Sequence, residues 1–173
     1  MDCRVEKCGI DLVGIKSLVY SDMCEHADEE ELGVYVNPND VWESNEKAIK
    51  KILDSKSCEK DGLYSVIHKV EGNKPYHELM LCVLDDSDIK DKQMEKIKIQ
   101  ENTWLVFESL VDIDSGVDMN EYIPKLYEDI YAHKVPEMGY KAHDDYAIET
   151  WSPEEREDGF YKFETWVPVE KLE

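Results

Sequence analysis

The segment FYKFETWVPV, residues 160–169, alternates between two kinds of side chain along its length. In an extended strand Phe163 and Val167 fall on one face, while Glu164 and Trp166 fall on the other. The first face has the apolar character of a core that packs against a helix. The second face places a carboxylate two residues from a large aromatic ring, which suits either an exposed surface or the wall of a cavity.

The elements before this segment complete a strand–helix–strand–strand unit. Residues 97–111 and 146–151 are rich in β-branched and aromatic side chains, which predicts strands. Residues 119–133 carry apolar side chains at helical spacing, which predicts a helix between those strands. Because Pro168 has no N–H for a ladder, the last strand is expected to lie at a sheet edge or to end there.

The first half of the chain shows the same order of elements. Residues 8–20, 63–70 and 76–84 predict strands, and the last two form a hairpin. Residues 38–53 predict one helix, since apolar side chains recur there at helical spacing behind an Asn-Pro start. The acidic stretch at 25–33 predicts a loop.

The two helices, and likewise the two hairpins, begin about 80 residues apart, which indicates an internal duplication. We predict an α+β fold of tandem β-α-β-β units with pseudo-twofold symmetry, in which antiparallel sheets carry helices on one face. Repeat one is expected at about 6–86 and repeat two at about 95–170, within a single domain of residues 1–173. Two such sheets side by side would leave their uncovered faces exposed, and the side chains on those faces then decide what they do.

An alignment between the halves indicates which side chains would share those faces. The first-half hairpin can be laid on the last strand so that Glu78 matches Glu164 and Met80 matches Trp166. A second alignment would place Leu79 on Glu164 instead, and we prefer the first because it pairs the two acids. Two carboxylates and two soft or aromatic groups would then face one cleft.

Further aromatic side chains extend this candidate site. Trp104 lies in the strand that opens the second half, and Tyr146 begins a strand near the end of the chain. Aromatic walls around a carboxylate suit a lipophilic cation, which needs stacking, cation–π attraction and one opposite charge. Ordinary core packing is the alternative for any one of them. The candidate ligand-binding residues are therefore Glu164, Trp166, Glu78, Met80, Trp104 and Tyr146.

Composition excludes several classes of partner. The chain has 173 residues, with 20 Lys and Arg against 41 Asp and Glu, so its formal net charge is −21. A contact with a nucleic-acid backbone or an anionic membrane surface needs the opposite sign, and we expect neither. Apolar residues make up 42% of the chain, which argues against disorder.

Cysteine usage and motifs narrow the chemistry. The five cysteines are odd in number and widely spaced, so neither a disulfide framework nor a metal site is expected. No long apolar run is present, and a reducing cytoplasm is the expected location. The sequence contains no GxSxG, HExxH, Walker or GxGxxG motif, so we expect no cofactor and do not favour an enzyme.

Four second-half segments resemble one known family. They are residues 103–107 (TWLVF), 123–127 (IPKLY), 146–150 and 163–169 (FETWVPV), and the last is close to that family's closing Glu-x-aromatic-x-Pro pattern. The chain is similar to the GyrI-like small-molecule-binding domain, which is the effector-binding domain of AraC-type and multidrug-responsive transcription regulators. The resemblance extends from about residue 6 to the end of the chain, and it is looser in the first half.

The resemblance implies a ligand cleft between two repeats, with Glu164 as its acid. It also implies a stand-alone member, because we find no room for the helix-turn-helix segment of the regulators, and direct nucleic-acid binding is not expected. The small ligand would be a hydrophobic cationic or aromatic molecule, and a protein partner stays open.

Two alternatives follow from other stand-alone members of the family. Some are similar to cofactor-independent hydrolases that open cyclopropane rings in genotoxic compounds. In that case a desolvated Glu164 with a raised pKa would be the general acid or base, and Trp166 a stacking wall. Others bind a protein, as gyrase inhibitors do, and the acidic surface would suit a basic partner.

Overall fold

The computed structural model describes residues 1–21, 33–85, 89–152 and 159–173. The loop predicted at 25–33 lies largely outside these ranges.

Within the described ranges the chain forms eight strands and five helices. The strands are β1 (Asp2–Tyr20), β2 (Val34–Tyr35), β3 (Leu63–Lys69), β4 (Tyr76–Leu84), β5 (Glu95–Val111), β6 (Tyr140–Ala142), β7 (Tyr146–Trp151) and β8 (Tyr161–Lys171). The helices are α1 (Pro38–Ser44), α2 (Glu46–Leu53), α3 (Lys56–Asp61), α4 (Met119–Asp129) and α5 (Val135–Glu137). A 3₁₀ turn at Ile113–Ser115 precedes α4, and a π-helical turn at Ile130–Lys134 follows it.

The helix predicted at 38–53 is divided into α1 and α2 at Asn45. The predicted N-cap is confirmed, since the side chain of Asn37 accepts a hydrogen bond from the backbone N–H of Asn39 at 2.9 Å. Asn45 donates from its side-chain amide to the carbonyl of Val41 at 2.8 Å. This local bond competes with the helical ladder, which explains why one apolar period forms two short helices.

The strands close into a ring that we define by its order of neighbours, β1–β4–β3–β7–β8–β5 and back to β1. Closure depends on the two long strands. Residues 12–20 of β1 pair with β4, while residues 2–14 of β1 pair with β5. Strands β1 and β4 approach closely at Gly14, because a Cβ there would lie 2.1 Å from the carbonyl oxygen of Leu81. All six ring pairings are antiparallel.

Ring closure corrects the prediction that the helix-free faces stay exposed. Those faces turn inward and pack on one another, and their buried residues form the ring interior: Ile10, Leu12, Tyr64, Val66, Met80, Cys82, Ile99, Trp104, Val106, Ile148 and Trp166. On the outside, α1–α3 cover one apolar cluster in the first half. The helical segment from α4 onward covers another in the second half. Two helix layers therefore flank the outer faces of β3 and β7.

The α+β fold is confirmed, and the strand–helix–strand–strand order occurs twice among the described residues. The pairings along β4, β3, β7 and β8 are symmetric about one central pair, Val66 on β3 and Ile148 on β7. Met80 pairs with the first and Trp166 with the second. Met80 and Trp166 thus occupy equivalent places in the ladders, as do Glu78 and Glu164 two positions further on. A rotation relating the two halves stays a prediction.

The expectation that β8 lies at an edge or ends at Pro168 is wrong. The strand continues to Lys171 and changes partner around the proline. Its last pair with β7 is at Trp166, and its first pair with β6 is at Val169. Pro168 falls between these two ladders, a position at which its missing N–H interrupts neither register.

Candidate functional site

The aromatic residues predicted for the cleft pack against one another in the ring interior. Trp104 and Trp166 meet edge to face, with ring centroids 6.2 Å apart and an interplanar angle of 69°. The indole N–H of Trp104 donates to the carbonyl of Cys8 at 3.0 Å. Met80 is buried in the same cluster, and Tyr146 packs at its margin. These side chains pack against one another, as the side chains of a hydrophobic core do.

Glu164 is buried and has four donors from the chain itself. Arg4 Nη1 lies 2.8 Å from Oε1, and Lys162 Nζ lies 3.0 Å from the same oxygen. The Trp166 indole donates to Oε2 at 3.1 Å, and Thr150 Oγ1 lies 3.3 Å from it. Burial alone would raise the pKa of Glu164, but the hydrogen bonds and charges of Arg4 and Lys162 lower it below its ordinary value. The expectation that Glu164 has the raised pKa of a general acid in a hydrolase is therefore wrong.

Glu78 is held in a similar way in the first half. His68 Nδ1 lies 3.0 Å from one carboxylate oxygen and Lys16 Nζ 3.5 Å from the other. Burial raises the pKa of Glu78, while the His68 hydrogen bond and the Lys16 charge lower it, and the balance is a lowered pKa. His68 also stacks on Tyr146, with ring centroids 4.5 Å apart.

The two carboxylates share the inward face but lie towards opposite ends of the ring. Glu78 pairs with His68 on β3, whereas Glu164 pairs with Thr150, which in turn pairs with Tyr64. His68 and Tyr64 are four residues apart along β3, or roughly 13 Å at the rise of a strand. The two acids therefore do not form one anionic site.

A groove opens on the other side of the sheet, over β3 and β7, with the helical segment that begins with α4 along one side. Its volume is about 420 Å³, which is within the size range of small-molecule sites. The groove is lined by Ser21, Ile67, Lys69, Lys74, Tyr76, His77, Tyr127, Tyr131, Asp144, Asp145, Tyr146 and Ala147.

Four of the twelve lining residues are tyrosines. Tyr127 and Tyr131 come from successive turns of the helical segment that begins with α4, and their rings stack with centroids 5.8 Å apart and an interplanar angle of 14°. Ile67 and Ala147 lie side by side on β3 and β7 as the floor. At the rim, Lys69 Nζ and an Asp144 oxygen are 3.3 Å apart, so an ion pair borders the opening.

Glu149 lies beside the groove, where it contacts the lining residue Tyr127 but is not itself one of the lining residues. It follows the floor residue Ala147 by two positions, and so points to the same face of β7. The Tyr127 hydroxyl donates to Glu149 Oε1 at 2.5 Å. Burial raises the pKa of Glu149, and hydrogen bonds from Tyr127 and the Trp151 indole reverse only part of that rise. The acid is thus held by neutral donors, in contrast to Glu164.

Two residues close to Glu149, Tyr131 and Thr165, have unusual polar environments. The pKa of Tyr131 is raised to about 12 by burial and then by the nearby Glu149 charge. Thr165 pairs with Glu149 between β7 and β8, and its hydroxyl is buried without a hydrogen-bond partner among the described residues. A polar atom without a partner beside a buried carboxyl is costly unless another molecule supplies the bond.

Of the six residues predicted for the site, Tyr146 lines the groove, whereas the lining residue Tyr127 and its hydrogen-bond partner Glu149 were not among the six. The signal for Glu149 was a charged residue on the helix-facing side of a strand, between Ala147 and Trp151. For Tyr127, helical spacing indicated only a core-facing position.

The chain belongs to the Cass2 family of integron-associated effector binding proteins, whose family model matches residues 26–169. The resemblance to GyrI-like effector-binding domains is thereby confirmed. A comparison with curated proteins gave no match.

Solved structures support the fold. SAV2435 bound to tetraphenylphosphonium is similar with a TM-score of 0.67 at 15% identity, over 98% of this chain and 94% of that one. A putative transcription regulation protein from Staphylococcus aureus MU50 has a TM-score of 0.62 at 15% identity, over 98% and 99% of the two chains. Integron cassette protein VCH_CASS2 from the mobile metagenome of Vibrio cholerae has a TM-score of 0.56 at 11% identity, over 97% and 95%.

Among the helices of the described residues, none has the length and apolar character required to span a bilayer.

Proposed function

We propose that this protein binds a hydrophobic, cationic or aromatic small molecule in the tyrosine-lined groove, with Glu149 as the acid of the site. The observation that carries the proposal is the partly buried Glu149, held by the Trp151 indole and by the hydroxyl of Tyr127, which itself lines a groove of about 420 Å³. Effector binding by the family in general agrees with this function.

A lipophilic cation suits this groove on physical grounds. Stacked tyrosine rings offer flat apolar area and the negative faces of their π systems. Glu149 has neutral donors, so its charge becomes favourable when a cation arrives. The related structure with tetraphenylphosphonium supports the same ligand class.

The residues predicted in the ring interior have a different place in this proposal. Glu164 already has Arg4 and Lys162 as counter-charges, and Trp166 donates its N–H to Glu164. Such a satisfied cluster favours a structural role in holding the ring closed. The same contacts argue against Glu164 as the general acid of a hydrolase, since its pKa is lowered.

The test is a fluorescence titration with tetraphenylphosphonium of the wild-type protein and of two variants. Ala147→Trp places a large ring on the groove floor and should abolish saturable binding. Val5→Trp adds the same ring at an exposed position on β1 outside the groove lining, and should leave binding unchanged. Binding that survives Ala147→Trp would place the ligand elsewhere and refute the proposal.

A further inference from the structure

A second groove lies along α1 and α2, in the helix layer of the first half. Its volume is about 640 Å³, and we call it the α1–α2 groove. It is lined by Trp42, Glu43, Glu46, Ile49, Lys50, Leu53 and Asp54. None of these residues lines the groove over β3 and β7, so the two surfaces are separate.

Large apolar side chains recur along this groove at helical spacing. Ile49 follows Trp42 by seven positions, and Leu53 follows Ile49 by four. Ile49 is buried, whereas Trp42 is 38% exposed and Leu53 is 43% exposed. Apolar side chains scattered singly over a surface are ordinary, but exposed ones gathered in one groove mark a surface that another molecule covers.

Acidic side chains border this apolar stripe. Lys50 is the one base of the lining, and its Nζ lies 4.0 Å from an Asp54 oxygen. Within the described ranges, Glu43 and Glu46 form no ion pair. A second copy of this chain or an anionic membrane would bring like charge to this border, since the net charge of the chain is −21. A basic partner would bring the opposite charge.

We propose that the α1–α2 groove docks an amphipathic helix of a partner protein, with the apolar face of that helix on the stripe and its Lys or Arg side chains beside Glu43 and Glu46. A helix suits the stripe, because its own apolar side chains recur at i, i+3, i+4 and i+7. Leu53 follows Trp42 by eleven positions, or roughly 16 Å at the rise of a helix, so about three turns of the partner cover the groove. This proposal does not depend on the effector function.

The probes are three synthetic peptides of about 14 residues. The first has Leu at helical spacing and Lys elsewhere, the second has the same composition with Leu and Lys alternating, and the third has Glu in place of each Lys of the first. In calorimetric titrations of the wild type, the first should bind at least about tenfold more tightly than the second, because only a helical stripe matches the groove. The third should not bind measurably, since its charges repel Glu43 and Glu46.

The apolar contact is tested by Leu53→Ala, with Leu172→Ala as the matched control. Leu172 is 50% exposed and lies outside the groove lining. Leu53→Ala should weaken binding of the first peptide by at least about fivefold, whereas Leu172→Ala should leave its affinity unchanged. Trp42→Ala is a second variant with the same expected loss, and thermal melting shows that each variant is folded.

The charge contact is tested by the double variant Glu43→Gln with Glu46→Gln. Glu121→Gln with Glu128→Gln is the matched control, because it removes two exposed acids from α4 and leaves the α1–α2 groove unchanged. At low salt the first pair should weaken binding of the first peptide by at least about fivefold, and the control pair by less than about twofold.

Equal affinities of the wild type for the two peptides of Leu and Lys would overturn the proposal. Equal losses in the groove variants and in their controls would do the same. Sedimentation of the protein alone gives a further check: self-association that Leu53→Ala abolishes would assign the groove to a second copy and reject a partner helix.

Discussion

The Tyr127 hydroxyl donates a hydrogen bond of 2.5 Å to Glu149, so the acid beside the groove is held by neutral groups. Glu164 stands in the opposite situation, with Arg4 and Lys162 both on one carboxylate oxygen. One acid has its pKa raised and the other has its pKa lowered. Glu164 therefore already has two cationic partners within the chain, whereas a cationic ligand at Glu149 belongs to the proposal.

Opposite stability effects are expected from neutralising these two acids. Glu149→Gln should leave unchanged or raise the free energy of unfolding at neutral pH, by on the order of 1 kcal/mol, because a charge disfavoured by burial is removed. Glu164→Gln should lower it by about 1–3 kcal/mol, because Arg4 and Lys162 lose their partner. Urea denaturation at pH 7.5 to about 8 measures both. Equal losses in the two variants would contradict this assignment.

Stability should also respond to pH in opposite directions at the two sites. The folded-state pKa of Glu164 is lowered, so its contribution is present above the unfolded pKa and is lost as pH falls through the folded value. The folded-state pKa of Glu149 is raised, so its ionisation costs stability as pH rises through that value. The unfolding free energy of the wild type minus that of the variant should therefore rise with pH for Glu164→Gln and fall with pH for Glu149→Gln.

Binding of a permanent cation should be linked to the proton on Glu149. Affinity is expected to be flat at high pH and to fall by up to tenfold per pH unit below the raised pKa, because the cation must then displace a proton. Burial lowers the pKa of His77 in the groove lining, so His77→Gln separates its contribution at acidic pH. Triphenylphosphine oxide, a neutral aromatic, should show no such fall. A pH-independent affinity for the cation would contradict the linkage.

Tyr127→Phe should shift that pH profile upward. The hydroxyl stabilises the ionised form of Glu149, so its removal raises the pKa of the carboxyl further. Tyr131→Phe keeps the stacked ring and serves as the control. Calorimetric titrations across pH measure the midpoint, and the prediction fails if Tyr127→Phe leaves it where the wild type has it.

Closure of the ring should depend on the absence of a side chain at Gly14. Gly14→Ala puts a methyl group 2.1 Å from the Leu81 carbonyl oxygen, and the backbone on both sides is paired. We expect a loss of at least about 2 kcal/mol. Gly9→Ala brings its Cβ no closer than 3.0 Å to any neighbour and should cost less. Thermal melting compares the two variants, and an equal loss would refute the role given to Gly14.

Sequence patterns predicted the elements of this fold because strand alternation and helical spacing are local signals. Ring closure could not be predicted, since it depends on β1 reaching both β4 and β5, a pairing between distant segments. The same limit affected the site. The acid and aromatic pair at Glu164 and Trp166 is adjacent in sequence, whereas Glu149 and Tyr127 meet only when α4 packs on β7. Proximity along the sequence therefore favoured Glu164 and Trp166, whose polar groups already have partners within the chain.

The central claim is that Glu149, not Glu164, is the acid that pairs with a cationic ligand. Calorimetric titration of a lipophilic cation at about pH 8 into wild type, Glu149→Gln and Glu164→Gln tests it directly. The account predicts at least about a tenfold loss of affinity for Glu149→Gln and less than about a threefold change for Glu164→Gln. Unchanged binding by Glu149→Gln together with loss of binding by Glu164→Gln would contradict the account and return the ligand to the ring interior.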